Sequence, residues 1–387
     1  MSETSFDVAV IGGGAVGTST LFHLADEYDA RGVLFERGQL GEGSTGKAAG
    51  GVRNTYTTPV NIEIGNRAIE YFQNFADNVG EDLAFEQTGY MYLYHSREAE
   101  IEWRERAQHL HAFDVTTEMH SPEEAARAFP SLDATEIRGA MYAPDCGHVD
   151  PHSLTQAFGR AAVDRGAMIH TGTAVTDVVV EDGAVAAVET QAGTYEVDAV
   201  LNAAGPWAAR VGAMAGVDVP IELLIRRIMV TSTIDQTTGP LVIDPERECY
   251  FKVESSGSML VCDTGQDIHD VGDPDGATDG QVGYDYYLRT TEKVQRLVPA
   301  LADLEVRNGW SGLQSHTDDG NAIVGPADVD GFYLACGFSG HGVQQAPVVG
   351  GAMADLLVAG ETDRFDVGKL SLDRFAGGDP VESEGMA

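Results

Sequence analysis

Apolar residues open the chain as a short run, Phe6-Asp7-Val8-Ala9-Val10-Ile11, whose near-continuous hydrophobicity predicts a buried strand. Ala15 to Ala25 then repeats apolar positions at helical spacing, and Val33-Leu34-Phe35 forms a second apolar run ending in Glu36. Residues 6–36 thus predict strand, glycine turn, helix and strand, followed by a glycine- and serine-rich loop from Gly41 to Gly51. Helical patterns return over about 59–79 and 98–112, and Ser121 before Pro122-Glu123-Glu124-Ala125-Ala126 predicts a capped helix start. From His148-Val149-Asp150-Pro151 the pattern enters a helix that ends near Gly166.

Strand patterning resumes from Ala167 to Val188, with Glu181-Asp182-Gly183 as the hairpin turn. Val197 to Leu201 predicts another short strand, running into Asn202-Ala203-Ala204-Gly205, and residues 220–285 are strand-rich with long loops. The last segment repeats strand, glycine turn and helix: Phe332–Cys336, Gly337–Gly342, then an apolar helix to about Val358. The tail over 377–387 is acidic and built of small residues, which predicts disorder. No internal repeat is visible.

A chain of 387 residues, 43% hydrophobic, can bury two cores, so two domains are expected. Its charge changes the picture of possible partners. Against 61 acidic residues stand 24 basic ones, for a net charge of −37, and the only lysines are Lys47, Lys252, Lys293 and Lys369. Such a surface repels nucleic acid and anionic membrane, because phosphate binding needs clustered Lys and Arg. The imbalance runs along the whole chain, a composition suited to a halophilic cytosol where concentrated salt screens self-repulsion. No apolar stretch is long enough to span a bilayer, and the first strand begins at Phe6, so a cytoplasmic protein is expected. Cys146, Cys249, Cys262 and Cys336 lie far apart without metal-type spacing, so no metal site and no disulfide framework is expected.

Gly12-Gly13-Gly14-Ala15-Val16-Gly17 fits G-x-G-x-x-G in the context that gives the pattern meaning: a strand before, a helix after, and Glu36 ending the next strand with Arg37 beside it. Gly12 permits the tight turn, Gly14 admits backbone to a pyrophosphate, and Gly17 lets helix and strand pack closely. A carboxylate at Glu36 suits ribose hydroxyls, so dinucleotide binding is expected.

From Gly12 to about Val358 the chain resembles the D-amino-acid-oxidase-like FAD oxidoreductases, the group of glycine oxidase, monomeric sarcosine oxidase and dimethylglycine dehydrogenase. Besides the first motif and Glu36, three segments carry the resemblance: Ser44-Thr45-Gly46-Lys47-Ala48-Ala49-Gly50-Gly51, Asn202-Ala203-Ala204-Gly205-Pro206-Trp207, and Gly337-Phe338-Ser339-Gly340-His341-Gly342. It implies an α/β fold, with a Rossmann-type FAD domain from residues 1–83, 145–218 and 306–376, and a mostly antiparallel substrate domain from 84–144 and 219–305. It also implies that Ser44, Thr45, Lys47, Ala48, Ala49 and Gly50 meet pyrophosphate and flavin edge, and that Val175 presents backbone to adenine. Ala204, Gly205 and Trp207 would follow the strand end beneath the cofactor. The turn Gly337, Ser339, Gly340, His341, Gly342, with Val343 and Gln344 after it, would aim a helix N-terminus at the flavin, where its positive end stabilises charge gained on reduction.

Departures from the relatives matter as much. Covalent relatives tether flavin through a cysteine at the position of Gly312, ahead of Thr317-Asp318-Asp319, so the FAD here is expected to be non-covalent. Oxidases of the group carry a lysine on a substrate-domain strand, matched by Met259-Leu260-Val261-Cys262, and another at Gln344. Both absences tip the reading toward a dehydrogenase passing electrons to a protein or quinone, with an oxidase using oxygen as the alternative.

For a small amino acid, an arginine supplies a bidentate carboxylate anchor. Glycine-oxidase relatives place it where Gln314 stands after Gly312-Leu313; sarcosine-oxidase relatives place it at Arg53, the residue chosen here, ahead of Arg226 and Arg227. Tyr250 is expected to close the pocket and His341 to contact the flavin, with His316 a neighbour; Trp207 and Trp310 also suit packing. The expected reaction is hydride transfer from a neutral secondary amine or amino acid to flavin N5, without a demanded base, the imine then hydrolysing. A 2-hydroxy-acid dehydrogenase, or an FAD-bearing subunit acting through a partner, are the alternatives.

Overall fold

The computed structural model describes residues 4–269, 271–277 and 282–377. Two eight-stranded sheets carry the fold. In the first, Ser5–Ile11 lies between Gly193–Asn202 and Gly32–Phe35, parallel to both. Met168–His170 extends the parallel set beyond Gly32–Phe35, and Phe332–Cys336 extends it beyond Gly193–Asn202. Burial on both faces explains why the first strand is continuously apolar instead of alternating. Val8 and Val10 pack under helices Ala15–Glu27, Pro151–Asp164 and Gly342–Ala359, whereas Phe6, Ala9 and Ile11 face the opposite cluster. That second layer includes Val178, Val185 and Val188 of an antiparallel ribbon, Val175–Glu181 with Ala184–Thr190, and helix Ala208–Met214. The ribbon turns at Asp182 and Gly183, whose φ values of 51° and 87° give the paired left-handed residues of a tight hairpin.

The second sheet runs in the order Val306–His316, Glu222–Thr233, Ser258–Asp263, Cys249–Val253, Leu241–Asp244, Tyr90–Tyr94, Gly139–Ala143, Glu118–His120. Its neighbours are antiparallel except Leu241–Asp244 against Tyr90–Tyr94. The expected mostly antiparallel cover is therefore present, but it reaches further along the chain than the sequence suggested. Val306–His316, expected to open the third FAD segment, pairs with Glu222–Thr233 over almost its whole length.

The helical pattern over 59–79 divides at Asn74 into Pro59–Gln73 and Phe75–Val79. Ser121 caps Pro122–Ala128 in a full capping box with Glu124. Helix Tyr284–Val294 was not foreseen, because only Tyr286, Thr290 and Val294 are buried and apolar Tyr284 and Leu288 lie exposed, which blurs the helical pattern. Of the tail expected to be disordered, 377–387, all but Gly377 lies outside the described residues.

Candidate active site

The carboxyl ends of the parallel strands and the inner face of the second sheet enclose a cleft of about 1740 Å³. That is where the open ends of such strands leave room for a ligand. The glycine turn forms its floor. Gly12 has φ 113°, and a Cβ there would stand 2.4 Å from the Ala203 carbonyl oxygen, so no side chain fits. Gly17 lies beneath the cleft wall instead of on it; a Cβ there would come within 2.0 Å of the Gly12 carbonyl oxygen, which makes it a packing residue of the turn. Glu36 accepts the Gly13 and Gly38 N–H groups, each at 2.7 Å, so its carboxylate both braces the turn and borders the cleft.

Thr45 Oγ1 accepts the Ala15 N–H at 3.2 Å, joining the second glycine loop to the first helix. The same loop meets the cover: Ser44 Oγ donates to the Leu313 carbonyl at 2.6 Å, and the Trp310 indole N–H donates to the Lys47 carbonyl at 3.0 Å. Gly14, Ala15, Val16, Ala48, Ala49 and Gly50 border the cleft alongside it, as do Val175, Ala204 and Gly205. At Gly312 a Cβ would press to 2.6 Å from Lys47 Cβ, so the space a tethering side chain would use is taken. All four cysteines are buried and free. Burial pushes the Cys249 thiol up, so that this cysteine borders the cleft in its unreactive protonated form.

At the outer end, Trp207 and Arg37 stack at 3.8 Å. Asp275 binds both, at 2.8 Å to the indole N–H and 2.7 Å to the guanidinium, and pairs with Arg210 at 2.7 Å. Sequence reasoning missed Asp275, since it sits in a polar loop with no motif around it.

At the inner end, Ser339 and Gly340 border the cleft and Gly337 supports them from behind, in a turn with φ values of 66°, 50° and 89° at 337, 339 and 340. This turn delivers His341 and the first residues of Gly342–Ala359, with Gly342, Val343 and Gln344 on the wall. Gln344 Oε1 accepts the Arg53 backbone N–H at 2.9 Å. Arg53 is 4% exposed; its guanidinium lies 3.2 Å from His341 Nε2, 3.3 Å from the Tyr92 hydroxyl and 4.6 Å from the Tyr56 ring. Burial, then Arg53, His316 and Arg226, push His341 well below its usual range, so the ring is neutral. Because arginine only donates, Nε2 is the acceptor and the ring proton belongs on Nδ1.

Tyr250 borders the cleft from the cover, its phenol held protonated by burial and the adjacent Cys262. His316 meets Gln314 Oε1 at 3.0 Å and is pushed down to about 4, by burial first and Arg226 next. Arg226 also borders the cleft, paired with Asp267, whereas Arg227 turns to the Gln266 carbonyl and the Tyr286 ring. Asp267 and Tyr90 are cleft residues that sequence reasoning missed. Among the described residues no group of His, Cys, Asp and Glu has the arrangement of a metal site.

This architecture has relatives. Residues 7–356 match the family described as "DAO: FAD dependent oxidoreductase". The chain belongs to this family. FAD is therefore its cofactor, and the turn without room for side chains, Glu36 and the long cleft fit it. Dimethylglycine dehydrogenase of Mus musculus is 30% identical over 390 residues, covering 95% of this chain and 44% of the relative. Sarcosine dehydrogenase of Mus musculus is 28% identical, covering 95% and 41%. The chain thus spans less than half the length of these mitochondrial relatives. Glycine oxidase of Geobacillus kaustophilus is 28% identical over 97% of this chain and 99% of its own. In solved structures, L-proline dehydrogenase from P. horikoshii superposes with a TM-score of 0.91 at 28% identity, covering 97% of this chain and 99% of the other. No helix among the described residues is long and apolar enough to cross a membrane.

Proposed function

We propose that this family member oxidises a small secondary amine or amino acid of the sarcosine, glycine or proline kind, leaving an imine that water hydrolyses. The observation that carries this reading is one cleft holding the dinucleotide turn, a buried arginine against a neutral histidine at the head of a helix, and a protonated tyrosine on the cover. FAD, when bound, supplies the acceptor for the hydride that leaves the carbon beside nitrogen. Arg53 anchors the substrate carboxylate through its fork of N–H donors. His341, neutral and fixed by Arg53, adds a polar contact without an extra cation. Tyr250 donates to the substrate and narrows the opening above it. The Gly342–Ala359 helix end turns its free N–H groups to the place where negative charge grows. The named activities of the relatives, on sarcosine, dimethylglycine, glycine and proline, support the same substrate class.

FAD is held without a covalent bond, since Gly312 offers no thiol. Electrons pass to a protein or quinone in preference to oxygen: Gln344 holds the Arg53 backbone where oxidase relatives carry a lysine, and the lysine at the cleft, Lys47, belongs to the cofactor loop. We place the protein in a salt-rich cytoplasm on its acidic composition.

The test is an anaerobic titration in concentrated salt, following the visible flavin spectrum as sarcosine, glycine, dimethylglycine, proline and 2-hydroxy acids are added. Bleaching by one of the amines is expected, and slow recovery in air would mark a dehydrogenase. Bleaching by a hydroxy acid alone would overturn the amine reading.

A further inference from the structure

Asp267 is the cleft residue whose hydrogen bonding is half complete. Its Oδ2 accepts Arg226 Nε at 3.0 Å and Nη2 at 2.6 Å. Its Oδ1 is buried with no hydrogen-bond partner among the described residues. The side chain is 3% exposed, yet the residue borders the cleft. A buried acceptor without a donor costs free energy that a ligand with a spare N–H recovers.

The position is built, not accidental. Ile225 and Ile268 exchange backbone hydrogen bonds at 2.8 and 3.0 Å, which pins Asp267 beside Arg226. Of the charged groups around it, Arg227 donates Nη2 to the Gln266 carbonyl and lies over the Tyr286 ring, while its Nε is buried without a hydrogen-bond partner among the described residues and its charge pulls the Asp267 carboxyl down, as Arg226 does. Gln266 gives its amide to Asp263 and Thr290. Cys262 on the adjacent strand and Tyr250 on the strand beyond it act on Arg226, and His269 follows on the same segment as Asp267 and reaches it through its field. The cover thus sets a carboxylate with an unfilled acceptor oxygen on the cleft that Tyr250 also borders, while Arg53 belongs to the cofactor half.

We propose that Asp267 receives the ammonium group of the zwitterionic substrate and takes one of its protons before hydride transfer. The inference rests on the amine reading. The substrate N–H bond breaks and an O–H bond forms at Asp267 Oδ1, the electron pair remaining on nitrogen. That pair becomes the C=N π bond as the adjacent carbon gives up hydride, with its two electrons, to FAD. The proton on Asp267 returns to solvent after the iminium product leaves. Burial raises the Asp267 carboxyl above its ordinary range even against the pull of Arg226, which makes it a better proton acceptor than an exposed carboxylate. Arg226 is a positioning residue here: it keeps Oδ2 occupied and leaves Oδ1 without a donor.

The experiment compares pH profiles of kcat/KM for holoenzyme and Asp267→Asn with the amine that bleaches the flavin. A substrate amine with a pKa of about 10 is almost fully protonated at neutral pH. With Asp267 present, the profile should stay level from about pH 7 upward, its acid limb set by a carboxyl. With asparagine, activity should climb about tenfold per pH unit, from roughly a hundredfold or more below wild type at pH 7 to within about threefold near pH 10. Asp267→Glu should restore the level profile. An unchanged profile in Asp267→Asn overturns the proposal, as does weakened FAD binding with the profile kept, which would make Asp267 a cofactor contact. Should the variant not fold, the wild-type profile decides: an acid limb at the amine's own pKa sinks the idea. Failure of the amine reading shows separately, as a wild-type flavin that no amine bleaches.

Discussion

Arg53 and His341 show how a residue's chemistry depends on its neighbours. The guanidinium meets His341, Tyr92 and Thr55, and this fork explains why lysine is a poor substitute. Arg53→Lys should lower kcat/KM for the substrate about 10- to 100-fold, mainly through KM, in steady-state assays, as expected for a lost charge-assisted pair. His316 and His341 are both depressed by burial and nearby arginines. A depressed histidine stabilises the folded chain as the neutral ring, so its contribution is full above the unfolded value of about 6.5 and is lost as pH falls toward about 4. Thermal melts of the apoprotein should show Tm dropping across that window, and Gln at 316 should flatten the drop. Arg53, Tyr250 and His341 could be nominated because they stand in recognisable segments, and all three border the cleft. Asp267 and Asp275 could not, since their partners lie 41 and 238 residues away and no local pattern announces them.

Elements followed the sequence where their signals are local. The Ser121 helix cap and the Glu181-Asp182-Gly183 hairpin turn formed as read, the cap completed by Glu124. Ser121→Ala should cost about 1 kcal/mol in urea unfolding, since one side-chain acceptor for a helix N–H is removed. Pairing across the chain was a different matter: Val306–His316 joined the cover because Glu222–Thr233 offered it a free edge. The segment carrying Asp273 and Asp275 likewise crosses to Arg37, Trp207 and Arg210 at the rim of the cleft. Asp275→Ala should speed FAD dissociation about fivefold in stopped-flow fluorescence, with the difference shrinking in high salt, because exposed ion pairs are screened.

At the scale of the whole molecule, a net charge of −37 makes self-repulsion a cost of the compact state. Self-repulsion falls as the Debye length shrinks, so Tm should rise between about 0.1 and 2 M KCl; a flat or falling Tm would remove the salt-adapted reading. The sequence by itself determined the strand-turn-helix at the floor of the cleft, the glycines that admit no side chain, the family, and the acidic surface. These are matters of period, backbone sterics and composition, all written locally. The tertiary structure alone decided which edge each strand took, which arginine met a histidine and which a carboxylate, and which buried oxygen lacked a donor. Those outcomes depend on contacts between residues far apart in the chain, where only the packed fold brings a donor within reach of an acceptor.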